Sequence, residues 1–193
     1  ATLTSMNNLA LAYQAAGKLD LALPLFEETL KLRKALLGPD HPATLVSMNN
    51  LALGYQAAGK LDRALPLFEE TLKLRKAKLG PEHPSTLVSM TNLALGYHRA
   101  GKLDQALSLF EEALKSKQAK LGSEHLSTIT SSVRLAFAYK DAGKFDQSLR
   151  LFENALKLRT ATLGPEHPGT LVSMGELASA YWNAGKRDQA LPL

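Results

Sequence analysis

Cysteine is absent from all 193 residues, so neither a disulfide nor a thiolate metal site can form. A chain without cysteine suits a reducing compartment, and a cytoplasmic location is expected. No apolar run approaches the ~20 residues of a membrane helix, and no charged-then-apolar leader opens the sequence. No membrane partner is therefore expected. Charge of one sign is also in short supply: 23 Lys and Arg against 18 Asp and Glu leave a net +5, a moderate balance. Apolar residues are not scarce, and at 45% they are ample for a core. The sequence opens on Ala1 in mid-pattern without a start methionine, which reads as a fragment.

The dominant feature is repetition, which is sought before anything else because it decides the fold. Thr2–Ala43 returns as Thr44–Ser85 with only six of 42 positions changed. Thr86–Ser127 and Thr128–Gly169 are looser copies, and Thr170–Leu193 is a fifth that stops early. The whole chain, 1–193, is thus expected to be one solenoid domain with repeats 2–43, 44–85, 86–127, 128–169 and 170–193. Close agreement between the first two copies implies recent duplication or consensus construction.

Each copy reads as two helices. Leu45, Met48, Leu51, Ala52 and Tyr55 recur at spacings of three and four, one stripe of a 3.6-residue helix. Gly59 ends that helix where a left-handed residue is cheap only for glycine. A second stripe runs through Leu61, Ala64, Leu65, Phe68, Leu72 and Leu79 and closes at Gly80, with Pro81 just beyond. Pro66 is expected in the first turn of a helix starting near Asp62, where N–H groups lack partners anyway. One such pair cannot bury its stripe, but a stack can. The expected fold is all-α: a right-handed superhelical solenoid of antiparallel helix pairs, the pairs beginning near Thr2, Thr44, Thr86, Thr128 and Thr170. Leu51, Tyr55, Ala64 and Phe68 belong to the core.

Tyr55, Gly59, Ala64 and Phe68 recur in register at Tyr13, Gly17, Ala22 and Phe26, and at Tyr97, Gly101, Ala106 and Phe110. This pattern resembles the tetratricopeptide repeat. The 42-residue period, Asn7–Ala10 and Asn49–Ala52 (NNLA), and Leu79–Pro84 (LGPEHP) resemble the kinesin light chain variety. The resemblance covers nearly the whole chain, with departures where Val133-Arg134 and Gly175-Glu176 replace the paired asparagines. It implies a peptide-binding scaffold, with Asn8, Asn50 and Asn92 contacting bound peptide.

The residues offer little for chemistry. Gly59-Lys60 lacks the earlier glycine and the following Ser or Thr of a phosphate loop, and it follows a helix rather than a strand. His41, His83, His125 and His167 recur once per copy, but a metal needs ligands at ~2 to 2.3 Å from one ion. Residues one repeat apart should stand about a helix diameter, ~10 Å, from each other. These histidines read instead as organisers of the turn into the next helix, and no metal site is expected. Glu27-Glu28 and Glu69-Glu70 point in different directions on a helix. No nucleophile–base arrangement assembles, so neither catalysis nor a cofactor is expected.

In each second helix the acids come early (Asp62, Glu69, Glu70) and the bases late (Lys73, Arg75, Lys76, Lys78), which complements the helix dipole. Glu27 with Lys31, and Glu69 with Lys73, stand four apart in the favourable order. The charge therefore reads mostly as a solvated face. Nucleic acid is not an expected partner, since the first helices of the first two copies carry almost no Lys or Arg.

Stacked pairs curve, so the first helices should line a concave groove. With Leu51, Ala52 and Tyr55 in the core, the groove residues of the second copy are Val46, Asn49, Asn50, Leu53, Gln56 and Ala57. Their counterparts are Asn7, Asn8, Leu11 and Gln14; Asn92, Leu95, His98 and Arg99; and Val133, Arg134, Phe137 and Lys140. Asparagine is a middling helix former, and a groove function would explain mid-helix pairs of it. Bracing between repeats is the alternative, and one ladder can serve both. The groove is amide and aliphatic in its first half and more basic in its second, which favours a peptide with acids toward one end. Trp182, at the position of Gln14 and Gln56, is either a groove aromatic or an incidental substitution.

The expected function is a non-catalytic interaction scaffold that binds an extended, partly acidic peptide. The alternative is a self-assembling module. Truncation at Leu193 leaves the fifth second helix without counterparts of Phe26, Leu30 and Leu32, so Met174, Leu177 and Tyr181 should be partly uncovered. Leu3 and Met6 should be uncovered at the other end, and apolar ends invite association.

Overall fold

The structure, a computed structural model, describes residues 2–192. Those residues form ten helices and no strand: α1 (Thr2–Ala15), α2 (Leu19–Leu37), α3 (Pro42–Ala57), α4 (Leu61–Leu79), α5 (Pro84–Arg99), α6 (Leu103–Leu121), α7 (Leu126–Asp141), α8 (Phe145–Leu163), α9 (Pro168–Asn183) and the short α10 (Arg187–Ala190). The chain gathers into two compact units, Ala1–Ala100 with α1 to α5 and Gly101–Leu193 with α6 to α10. In the first unit each helix packs on the next, and α3 also touches α1 and α5. In the second unit α6 to α10 pack consecutively in the same way.

The first helices after α1 begin two residues before the expected threonines, and the reason is capping. His41, His83, His125 and His167 sit in extended backbone at the N-cap, and each Nδ1 accepts from the backbone N–H two residues on, at 3.1, 3.2, 3.1 and 3.0 Å. Proline then opens α3, α5 and α9, where its missing N–H costs nothing. The loop histidines thus organise the turn, as their recurrence suggested.

At the other end of α3, Gly59 takes φ 73° and lets the Lys60 N–H reach back to the Tyr55 carbonyl at 2.9 Å. That six-to-one bond satisfies a carbonyl the helix end would leave open.

Pro66 departs from expectation. Because α4 already starts at Leu61, the proline stands in the second turn rather than the first. Its ring removes the N–H that would reach the Asp62 carbonyl. Asp62 is exposed, so water can serve that carbonyl, and the helix runs on unbroken. Pro24 repeats the arrangement in α2.

Leu51, Tyr55, Ala64 and Phe68 are all buried, together with Ala10, Ala22, Phe26 and Ala52. Small residues let neighbouring backbones approach closely. A Cβ on Gly54 would stand 3.1 Å from Leu23 Cδ2 and 3.3 Å from Phe26 Cδ2. The second unit has its own core around Ile129, Val133, Leu149, Phe152 and Leu177. Two expectations fail there. Val133 was placed on the groove face and Leu177 among uncovered residues, yet α8 covers both, and they pack in one cluster with Phe152. Met174, Tyr181, Leu3 and Met6 are half-exposed.

Candidate functional site

The paired asparagines do not share one role, because adjacent helix residues diverge by about 100°. Asn7 and Asn49, the first of each pair, are only 6% and 8% exposed and face inward between first helices. The second residues, Asn50 and Asn92, are half-exposed and form the links. Asn50 Nδ2 donates to Asn7 Oδ1 at 3.1 Å, and Asn92 Nδ2 donates to Asn49 Oδ1 at 2.9 Å. Bracing between repeats is therefore real in the first unit. Each link leaves the outer residue's Oδ1 without a donor. Asn8 is exposed and makes no side-chain hydrogen bond among the described residues.

Around these amides the same face presents Leu11, exposed, with Leu53 and Leu95 half-exposed. Val46, Ala57 and Arg99 are exposed, and His98 is half-exposed. Gln56 is buried, and its Nε2, like Gln14 Oε1, has no protein hydrogen-bond partner.

In the second unit the corresponding residues are cationic and aromatic. Arg134 is exposed and Lys140 half-exposed, and neither makes an ion pair among the described residues. Phe137 meets Phe152 edge-on at a centroid distance of 5.0 Å, and Lys140 Nζ lies 4.9 Å above its ring. Lys117 donates to Ser131 Oγ at 2.7 Å. Burial, with Arg134 as a second cause, pushes the Lys117 pKa down. One repeat further on, the same two positions hold Arg159 and Glu176, 3.7 Å apart, so there the cation has an internal counter-charge. Trp182 is exposed, with the Arg187 guanidinium 5.0 Å from its ring centroid.

Two networks hold these faces in place, and charge patterning concealed both. Arg75 was read with the solvated bases but is only 6% exposed. Its Nη1 donates to the Ser85 carbonyl at 2.9 Å and to Ser89 Oγ at 2.7 Å, tying α4 to α5. Arg33 does the same to Ala43 and Ser47, and Arg159 to Gly169 and Ser173. The signal was present as recurrence: a cation at 33, 75, 117 and 159 faces serine at 47, 89, 131 and 173.

The second network joins tyrosine to glutamate 28 residues earlier. Tyr97, Tyr139 and Tyr181 donate to Glu69, Glu111 and Glu153 at 2.7 Å each, and Tyr55 donates to Glu27. These carboxylates were expected to pair with lysines one turn on. Instead Glu27 and Glu69 serve the next repeat, and Lys31 and Lys73 make no ion pair among the described residues.

Burial, and then the glutamate bond, raises the pKa of Tyr55, Tyr97 and Tyr139 from 10.0 to about 12. A raised phenol pKa favours the folded state below pH 10, and that contribution is lost as pH climbs toward 12. The protein should therefore hold its stability to about pH 10 and unfold steeply above it. Phenolate absorbance followed against helical circular dichroism checks this. Titration at pH 10 with helix intact would contradict it.

Among the described residues no helix is long and apolar enough to cross a membrane, and no three His, Asp or Glu gather to hold a metal ion.

The comparisons agree with this architecture. The tetratricopeptide repeat family model matches residues 1–77, 48–119 and 122–193. A protein assigned to the kinesin light chains of Podosopora anserina, with nearly identical TPR-like repeats, has 34% sequence identity and a TM-score of 0.91 over 99% of this chain and 90% of its own. BtubC (BKLC) from P. vanneervenii shares the fold at 24% identity and a TM-score of 0.82, over 97% of this chain and 74% of that one. MamA from Desulfovibrio magneticus RS-1 shares it at 15% and 0.69, over 98% and 89%. No curated protein matches the chain. Helices packed in consecutive pairs, a repeating Tyr–Gly–Ala–Phe core and these matches make the chain an all-α solenoid, and it belongs to the tetratricopeptide repeat family in its kinesin light chain-like variety.

Proposed function

We propose that this chain is a non-catalytic interaction scaffold whose first-helix faces bind an extended peptide in a cytoplasmic setting. The observation that carries the reading is the pair Asn50 and Asn92. Each is half-exposed, locked by one amide proton to its neighbour, and left with an open Oδ1. An amide held in this way is a preorganised acceptor for a peptide N–H. Asn8 offers a further donor and acceptor, while Leu11, Leu53 and Leu95 give an apolar surface between the amides. In the second unit, Arg134 and Lys140 lack acidic partners beside Phe137, which favours an acidic segment carrying an apolar residue. Asn7 and Asn49 act in this reading as the supports of the outer amides, and His98 and Arg99 add polar contacts at the end of α5.

A peptide selected from an unbiased library should bind Asn50→Ala/Asn92→Ala more weakly by about 1 to 3 kcal/mol in all. The double variant should also melt earlier, because Asn7 Oδ1 and Asn49 Oδ1 lose their donors. That outweighs the better helix propensity of alanine, a few tenths of a kcal/mol per site. The pairing thus reverses the sign expected for stability from composition. Asn8→Ala separates the two roles: it should weaken binding with no loss of melting temperature. Unaltered binding in both variants would remove the peptide reading and leave bracing alone.

A second reading, self-association, is favoured by apolar residues left in the open: Leu9 on α1, and Leu171, Val172 and Leu191 in the second unit. Sedimentation at several concentrations tests it, and a concentration-independent monomer would end it.

A further inference from the structure

One cavity of the first unit lies away from the amides of the first-helix face. It is an open cleft of about 670 Å³ between α2 and α4, with α3 beneath. Leu30, Leu51, Pro66 and Leu67 supply apolar lining. Its size falls within the range of small-molecule sites, roughly 300 to 1,000 Å³.

The charges around it are unbalanced. Glu27 is the only carboxylate in the lining, and it is already engaged: it accepts the Tyr55 O–H and stands 3.5 Å from Arg63. Arg63 in turn lies 4.2 Å over the Tyr55 ring, fixing one wall of the cleft. One and two turns beyond Glu27 on α2, the lining carries Lys31 and Lys34. Among the described residues Lys31 makes no ion pair, and Lys34 meets only Glu70, at 3.7 Å with both side chains more than one-third exposed. Such a pair is screened and weak. What remains for a ligand is an apolar floor beside two available ammonium groups.

Lysine stems can lie along an apolar body while their heads hold an anion. A neutral apolar molecule would use the floor and leave the lysines idle, and an inorganic anion would use the lysines and leave the floor bare. We propose that this cleft binds a small organic anion: a body of one or two aromatic rings carrying a carboxylate, the rings on Leu51 and Leu67 and the carboxylate between Lys31 and Lys34. The arrangement belongs to this junction, since the positions of Arg63 and Pro66 hold Gln105 and Ser108, then Gln147 and Arg150, in later copies. It does not rest on the first-helix reading.

The test is calorimetric titration of the full chain with 2-naphthoate and, separately, with neutral 2-naphthylmethanol. Naphthoate should bind saturably at one site and more tightly than the alcohol. Lys31→Glu/Lys34→Glu should weaken it roughly tenfold or more, the size expected when two partly exposed charge contacts become repulsive. Lys73→Glu/Lys76→Glu, one repeat on, should leave affinity unchanged, as should Asn50→Ala/Asn92→Ala. Leu67→Arg should lower affinity for both probes by filling the floor, with helical content checked by circular dichroism. No saturable binding, equal affinity for acid and alcohol, or equal loss in both lysine pairs would overturn the proposal. Failure here leaves the peptide face untouched, and failure of the peptide variants leaves this cleft untouched.

Discussion

Phe68→Ala is expected to destabilise the first unit by about 3 to 5 kcal/mol, the range for emptying a buried aromatic site. Phe68 is 0% exposed and lies beneath Gly96, whose Cα-side space is filled by Leu65 and by the Phe68 ring itself. A Cβ built on Gly96 would stand 2.9 Å from Leu65 Cδ2 and 3.5 Å from Phe68 Cδ2, so α4 and α5 meet there with no slack. Truncating the ring removes dispersion contacts from both helices, which the Tyr97–Glu69 bond also joins. Leu36→Ala is the matched control. Leu36 is 71% exposed, and the next copy carries Lys78 in its place, so its loss should fall within about 0.5 kcal/mol of neutral. Urea unfolding followed by circular dichroism measures both. In a stacked array the damage should appear as an early local transition confined to the repeats that Phe68 joins, because each repeat is stabilised by its nearest neighbours. Comparable losses at Phe68 and Leu36 would mean that burial does not decide stability in this chain.

Arg75→Ala should cost about 2 to 4 kcal/mol, since removing a buried, hydrogen-bonded cation abandons its acceptors. Burial already lowers the Arg75 pKa, a sign that the guanidinium is held against a desolvation penalty by its two bonds to Ser85 and Ser89. The chain contains its own conservative variant. Lys117 occupies the equivalent site in the next copy and keeps only the serine bond, at 2.7 Å. Arg75→Lys should therefore lose the contact to the Ser85 carbonyl and retain the other, for a cost near 1 kcal/mol. The ordering Arg, Lys, Ala in melting temperature is the expected result. If lysine and alanine were equally damaging, the second hydrogen bond would carry no weight, and the clamp between α4 and α5 would be wrongly assigned.

These two residues also show how far the sequence could be read. Phe68 was legible as core because it lies on a stripe with Leu61, Leu65 and Leu72, and periodicity reports burial directly. Arg75 was not, since a run such as Leu-Arg-Lys-Ala-Lys matches a solvated helix end by composition. Only the contact with the next repeat's serine reveals the inward direction, and that contact depends on how helices stack, which periodicity within one helix does not encode. The helix starts were displaced by two residues for a related reason: a histidine at an N-cap is an uncommon choice. The asparagine pairs were legible as unusual, but their division into an inner acceptor and an outer donor needed the register between α1 and α3, a spacing of 43 rather than 42 residues. The Tyr55–Glu27 link escaped because Lys31 offered a nearer partner along the helix.

Whether first-helix faces take the peptide is decided by nuclear magnetic resonance of the chain with ¹⁵N-labelled asparagine side chains, titrated with a library-selected peptide. The amide signals of Asn8, Asn50 and Asn92 should shift on binding, while that of Asn154, exposed on the second helix α8, stays in place. A saturable complex that leaves Asn8, Asn50 and Asn92 unmoved would contradict it.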